Sequence, residues 1–150
     1  MELLLWRHAE AEDGLPDLER ALTAKGHKQA GKVATWLDRH LPGNCRVLVS
    51  PAQRAQQTAA TLGRKFKTVP ALAPGAPADE LLRLADWPLA RESVLIVGHQ
   101  PALGQVAARL LGLPLAECSI KKGAVWWFSN REREESCQVI LRAVTAPDLL

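Results

Sequence analysis

Ser93-Val94-Leu95-Ile96-Val97-Gly98-His99-Gln100-Pro101 is the stretch whose reading decides the fold. Val94 to Val97 are apolar without alternation, as suits a central strand covered on both faces. Gly98 permits a turn, and Gln100-Pro101 suits the start of a helix with Leu103, Val106, Ala107, Leu110 and Leu111 facing inward. A buried strand running into a helix is the unit of an α/β sheet. His99 then lies at the strand's carboxyl end, where open α/β sheets hold their ligands.

The same unit recurs upstream. Arg46 to Val49 reads as a second strand, with Ser50 as cap and Pro51 in the first turn of the next helix. Ala55, Thr58, Ala59, Leu62 and Phe66 make the inner stripe of that helix, and Arg54 falls in its first turn. Met1 to Trp6 reads as the first strand and delivers Arg7 and His8 at its end. Thr23 can cap a helix whose buried face is Ala30, Val33, Ala34, Leu37 and Leu41, stopped by Pro42-Gly43-Asn44.

Thr68 to Leu72 is expected as a short third strand, Pro70 to Ala78 as an ordered loop, and Asp79 to Trp87 as a helix ended by Pro88. The last third reads as two antiparallel strands, Gly123 to Ser129 and Cys137 to Val144. Their charged connection, Arg131-Glu132-Arg133-Glu134-Glu135, is expected to be a solvated hairpin turn. Trp126 and Trp127 are successive strand residues and must face opposite ways. Together these segments predict a three-layer α/β sandwich: a mostly parallel central sheet, helices on both faces and a C-terminal antiparallel strand pair, with residues 1–150 as one domain.

The chain has 150 residues, with 19 basic and 16 acidic side chains mixed along it, a formal charge of +3 and a pI near 9.0. That balance favours anions, but no long basic tract argues for nucleic acid. Cys45, Cys118 and Cys137 are odd in number and far apart, so neither a disulfide framework nor a metal site is expected. The apolar start is too short for a membrane span and lacks a signal-peptide pattern. A cytoplasmic monomer without membrane contact is the expectation.

Arg7, His8, Arg54 and His99 therefore occupy equivalent places, each at a strand end or opening the following helix. Parallel strands bring such places together. Two guanidinium groups and a helix start supply forked donors, partial positive charge and free N–H groups for phosphate oxygens. A histidine among them can attack phosphorus through an unprotonated nitrogen, and nearby arginine charge favours the neutral ring. His8 is the expected nucleophile. His27 and His40 lie on the first helix, outside the constellation. Lys121-Lys122 can guide an anionic partner, although a solvated pair suffices to explain it.

Arg7-His8, Ser50-Pro51 followed by Arg54, and His99 after a buried strand resemble the histidine phosphatase superfamily, the phosphoglycerate mutase-like family, over nearly the whole chain. Within it the resemblance is to small phosphohistidine phosphatases of the SixA type. Arg20-Ala21-Leu22-Thr23, with Gly26 three residues later, resembles the Arg-x-Leu-Thr-x-x-Gly feature of the small branch. The resemblance implies that Arg7 and Arg54 bind the phosphoryl group, that His8 is transiently phosphorylated, that His99 donates to phosphoryl oxygens, and that Arg20 is an extra donor. It implies neither metal nor organic cofactor. The partner it implies is a phosphohistidine protein, with small phosphate esters or a purely binding role as alternatives.

Ala9 stands where the family has glycine, and its methyl group is harmless only if φ is negative. Relatives acting on alcohol esters supply a general acid between the second and third motifs. Here Asp79 and Glu80 are the candidates, with Glu10, Glu12, Asp13 and Asp17 as alternatives. Imidazole leaves as a neutral ring, so phosphohistidine needs less help from an acid.

Overall fold

The computed structural model describes residues 1–150. Six strands form one sheet: β1 (Glu2–Arg7), β2 (Arg46–Val49), β3 (Lys67–Thr68), β4 (Val94–Gly98), β5 (Val125–Arg133) and β6 (Ser136–Thr145), in the order β3-β2-β4-β1-β5-β6. β3, β2, β4 and β1 are parallel, whereas β5 and β6 pair antiparallel. The helices are α1 (Ala24–His40), α2 (Gln53–Ala60), α3 (Ala78–Ala85) and α4 (Ala102–Leu110). This is the expected fold class.

Alternation along β1 explains the three layers. Leu3 and Leu5 point into a core with Leu48, Val94 and Ile96, closed by Ala78, Leu81, Leu103 and Val106 of α3 and α4. Leu4 and Trp6 point into the opposite core with Val47, Val49, Leu95 and Val97, closed by Val33, Leu37, Ala55 and Ala59 of α1 and α2. Every residue of β4 is buried, as the unbroken run at 94–97 requires. Trp126 packs on the first core and Trp127 on the second, so the two tryptophans do face opposite ways.

Several boundaries differ from expectation. α2 starts at Gln53 with Ala52 as cap residue, so Ser50 lies two residues before the cap position, and its hydroxyl bonds His99. The helix ends at Ala60, so Leu62 and Phe66 pack from the turn beyond it. The third strand is only Lys67–Thr68, since Pro70 lacks an N–H and opens a 3-10 turn at Pro70–Leu72. α3 stops at Ala85 because Asp86 takes the left-handed conformation, and Trp87 N–H closes on Leu82 O at 3.1 Å.

The C-terminal strands are longer than expected, leaving Glu134-Glu135 as the turn, with φ of 51° at Glu134. β5 begins after Gly123, whose φ of 76° breaks the strand. Cys45 and Cys118 are half-buried, Cys137 is exposed, and none is paired. No helix is long and apolar enough to cross a membrane.

Candidate active site

Strand register assembles the constellation. Arg7 is paired with Gly98, and Val49 with Val97, so the residues that follow, His8, Ser50 and His99, leave the sheet side by side. His8 N–H bonds Gly98 O at 3.1 Å, and Ser50 N–H bonds Val97 O at 3.0 Å. The His8 and His99 rings lie 5.2 Å apart between centroids, and each residue is 7% exposed.

His8 Nδ1 lies 2.8 Å from Ala9 O. A carbonyl only accepts, so Nδ1 carries the proton and Nε2 presents its lone pair. Nε2 has no protein partner and is not sealed from solvent. Burial, reinforced by the charges of Arg54, Arg7 and Arg20, lowers the His8 pKa to about 4 despite the opposing Ala9 bond. The ring is neutral at pH 7, which is what a nitrogen nucleophile requires.

His99 Nε2 lies 2.7 Å from Ser50 Oγ, which also accepts the Ala52 N–H at 3.2 Å. Ser50 is fully buried, and His99 Nε2 is the acceptor within reach of its hydroxyl proton. Satisfying that proton makes Ser50 the donor and leaves His99 with its hydrogen on Nδ1. Burial first, then His8, Arg54 and Arg7, lowers the His99 pKa to about 3; Asp17 opposes this.

The arginines are tethered at one end and bare at another. Arg7 Nη1 donates to Ile120 O at 2.8 Å. Arg54, 4% exposed, donates from Nη1 to Asp17 O at 2.8 Å and from Nη2 to Asp17 Oδ2 at 3.1 Å. Arg20 donates from Nε to Glu12 O at 2.7 Å and from Nη1 to Asp17 Oδ1 at 3.1 Å. Arg7 Nε, Arg54 Nε and His99 Nδ1 are buried without an acceptor; the other buried orphan is Asn130 Oδ1, an acceptor in β5. Buried N–H groups left unpaired are costly, and three of the four buried orphans belong to Arg7, Arg54 and His99. No three His, Cys, Asp or Glu side chains converge as a metal site.

The loop behind His8 is fastened from several sides. Ala9 is fully buried, and its φ is not positive. Its methyl group packs with Leu22 and Ala30, and its N–H bonds Thr58 Oγ1 at 3.1 Å, while the Thr58 hydroxyl donates to Arg54 O at 2.7 Å. Thr58 thus ties the loop after His8 to the helix turn that bears Arg54. Thr23 caps α1 through Gly26 N–H at 2.9 Å, and a Cβ on Gly26 would lie 2.0 Å from Glu10 O. This close approach explains why glycine follows three residues after the threonine.

The candidate carboxylates scatter. Asp79 pairs with Arg109 and Glu80 with Arg83, and neither bonds a residue of the constellation. Asp79 lines a groove of about 480 Å³ that shares no residue with it. Glu10 accepts from the Thr23 hydroxyl at 2.8 Å, and Glu12 and Asp13 are exposed. Asp17 alone of the six contacts Arg54, and Arg20 and Arg54 hold its carboxyl below the usual range. His27 and His40 are exposed on α1. Sequence reasoning missed the parts of Ser50, Thr58 and Asp17; the polar Thr58 within an otherwise apolar stripe was the available signal.

A family model described as the histidine phosphatase superfamily (branch 1) matches residues 3–75. The chain is 36% identical over 130 residues to the phosphohistidine phosphatase SixA homolog of Haemophilus influenzae, covering 75% of this chain and 78% of that protein. It is 32% identical over 121 residues to phosphohistidine phosphatase SixA of Escherichia coli, covering 73% and 74% respectively. A solved structure of the protein histidine phosphatase SixA complexed with tungstate superposes with a TM-score of 0.75 at 26% identity, over 99% of both chains.

Proposed function

The chain belongs to the histidine phosphatase superfamily and is a phosphatase of SixA type; from that premise we propose that it hydrolyses phosphohistidine on a protein through a phospho-His8 intermediate. The observation that carries this reading is the bare Nε2 of a buried, neutral His8, oriented by its Nδ1–H bond to Ala9 O. Two of the relatives are named as phosphohistidine phosphatases, and the related structure holds tungstate, a tetrahedral oxyanion like phosphate.

His8 Nε2 attacks phosphorus in line, forming the new N–P bond as the bond to the substrate imidazole breaks. The leaving nitrogen keeps the electron pair, and a substrate ring protonated on its other nitrogen departs neutral. The phosphorylated His8 ring becomes cationic, with its Nδ1–H still donating to Ala9 O. Water then attacks phosphorus, phosphate departs and His8 returns to its neutral form. Arg7, Arg54 and His99 hold the equatorial oxygens in both steps, each worth on the order of 2 to 4 kcal/mol of barrier by comparison with oxyanion donors. Arg20 acts at one remove, through Asp17. No step needs a metal or organic cofactor.

The test compares wild-type and His8→Ala protein on a phosphohistidine protein and on a panel of phosphate monoesters. Preference for the phosphohistidine protein, lost in His8→Ala, is expected; a strong preference for one ester contradicts the reading.

A further inference from the structure

We propose that a lysine-lined groove beside the active site docks an acidic surface of the phosphoprotein substrate, a proposal that rests on the phosphohistidine reading above. The groove, about 240 Å³, is bounded by Lys25, Lys28, Gln29 and Lys32 of α1 and by Pro147 and Asp148 of the final 3-10 turn. Lys25, Lys28 and Lys32 are exposed, and none forms an ion pair. Lys121 continues the rim, reaching Asp148 at 3.8 Å. Four lysines, Lys25, Lys28, Lys32 and Lys121, therefore surround the one side-chain carboxylate of the groove, Asp148.

These lysines work against their own helix. The first turn of α1 contains no acidic residue, and Asp38, its one acid, pairs with Arg64 near the far end. Cations near a helix N-terminus oppose the macrodipole, and Lys25–Lys28 and Lys28–Lys32 are like-charge neighbours at three- and four-residue spacing. Local stability does not explain such a row; attraction to an external anion does.

The groove is continuous with the nucleophile loop. Gln29, in its wall, accepts the Glu10 N–H at 3.0 Å. Gly123, next to Lys122, donates its N–H to His8 O at 3.1 Å, and a Cβ on it would lie 3.5 Å from Gln29 Cβ. A partner seated on the lysines is thereby held beside His8. The lining contains no aromatic ring on which a nucleic-acid base could stack. Charge complementarity thus favours an acidic protein surface.

The test uses Lys25→Glu/Lys28→Glu/Lys32→Glu protein, an acidic histidine-phosphotransfer domain phosphorylated on histidine, and the small donor phosphoramidate. The variant should show at least a tenfold higher KM for the phosphoprotein, a flatter dependence of that KM on salt, and unchanged turnover of phosphoramidate. Its Tm should not fall, because the substitutions relieve repulsion and suit the dipole. An unchanged phosphoprotein KM beside normal wild-type turnover overturns the docking proposal alone. So does loss of binding to RNA or anionic vesicles without a change in that KM. A wild type that turns over phosphoramidate but no phosphohistidine protein overturns the functional reading, and docking with it.

Discussion

Ser50 Oγ lies 2.7 Å from Nε2 of His99, joining the end of β2 to the end of β4 through a buried hydrogen bond. With Ser50 also accepting from Ala52 N–H, the bond sets which nitrogen of His99 keeps its hydrogen. Ser50→Ala should lower kcat by ten- to a hundredfold, roughly 1.4 to 2.8 kcal/mol of barrier, with a smaller change in KM. Imidazole ¹⁵N shifts should report a bare Nε2 and protonated Nδ1 in the wild type and a mixture of tautomers in the variant. Identical shifts would show that Ser50 does not orient the ring.

The two histidines also shape stability against pH. Their folded pKa values are about 4 and about 3, below the ordinary 6.5. As pH falls below 6.5 the unfolded chain takes up protons that the folded chain excludes, so stability declines toward those values; above 6.5 both states are neutral and this contribution is flat. Denaturation between pH 7 and pH 5 should show a loss on the order of 2 kcal/mol per histidine, reduced in His8→Asn and in His99→Asn. The Asp17 carboxyl, held below the usual range, contributes only at lower pH and does not blur this window.

Ala9 is a packing residue in an ordinary backbone conformation, not a block in the pocket. Ala9→Gly should leave turnover within about twofold and cost about 1 kcal/mol, through lost methyl packing and a freer unfolded chain. Activity rising tenfold in Ala9→Gly would mean that the methyl group obstructs the site.

Asp17 is the one candidate carboxylate bonded to Arg54, and the proposed mechanism gives it the part of holding that arginine, not of donating a proton. Asp17→Asn should cut kcat/KM about tenfold, ~1.4 kcal/mol, for phosphoramidate and for p-nitrophenyl phosphate alike. Asp79→Asn and Glu80→Gln, which disturb only exposed pairs with Arg109 and Arg83, should change neither rate. Selective loss of ester hydrolysis in Asp79→Asn would restore it as a general acid.

Strand ends and helix stripes were legible because burial on both faces writes an unbroken apolar run at 94–97 and helical spacing at 30–41. The meeting of Arg7, His8, Arg54 and His99 followed from topology alone. Ser50 was read as a cap because its sequence neighbourhood is that of a helix start; its actual partner lies 49 residues away across a parallel register. Asp17 opens a single 3-10 turn, Asp17–Glu19, too short to write a periodic pattern, and its bonds to Arg54 and Arg20 arise only when the chain folds back over α2. The turns at Pro70 and Asp86 depend on single residues whose backbone conformation shifts a boundary by a few positions.

The central claim is that His8 carries the phosphoryl group between substrate and water. Wild-type protein, quenched during turnover of labelled phosphoramidate, should bear an acid-labile, alkali-stable label that mass spectrometry places on His8, with none in His8→Ala. A wild type that releases phosphate without ever carrying label on His8, or one labelled instead on His99, would contradict the account.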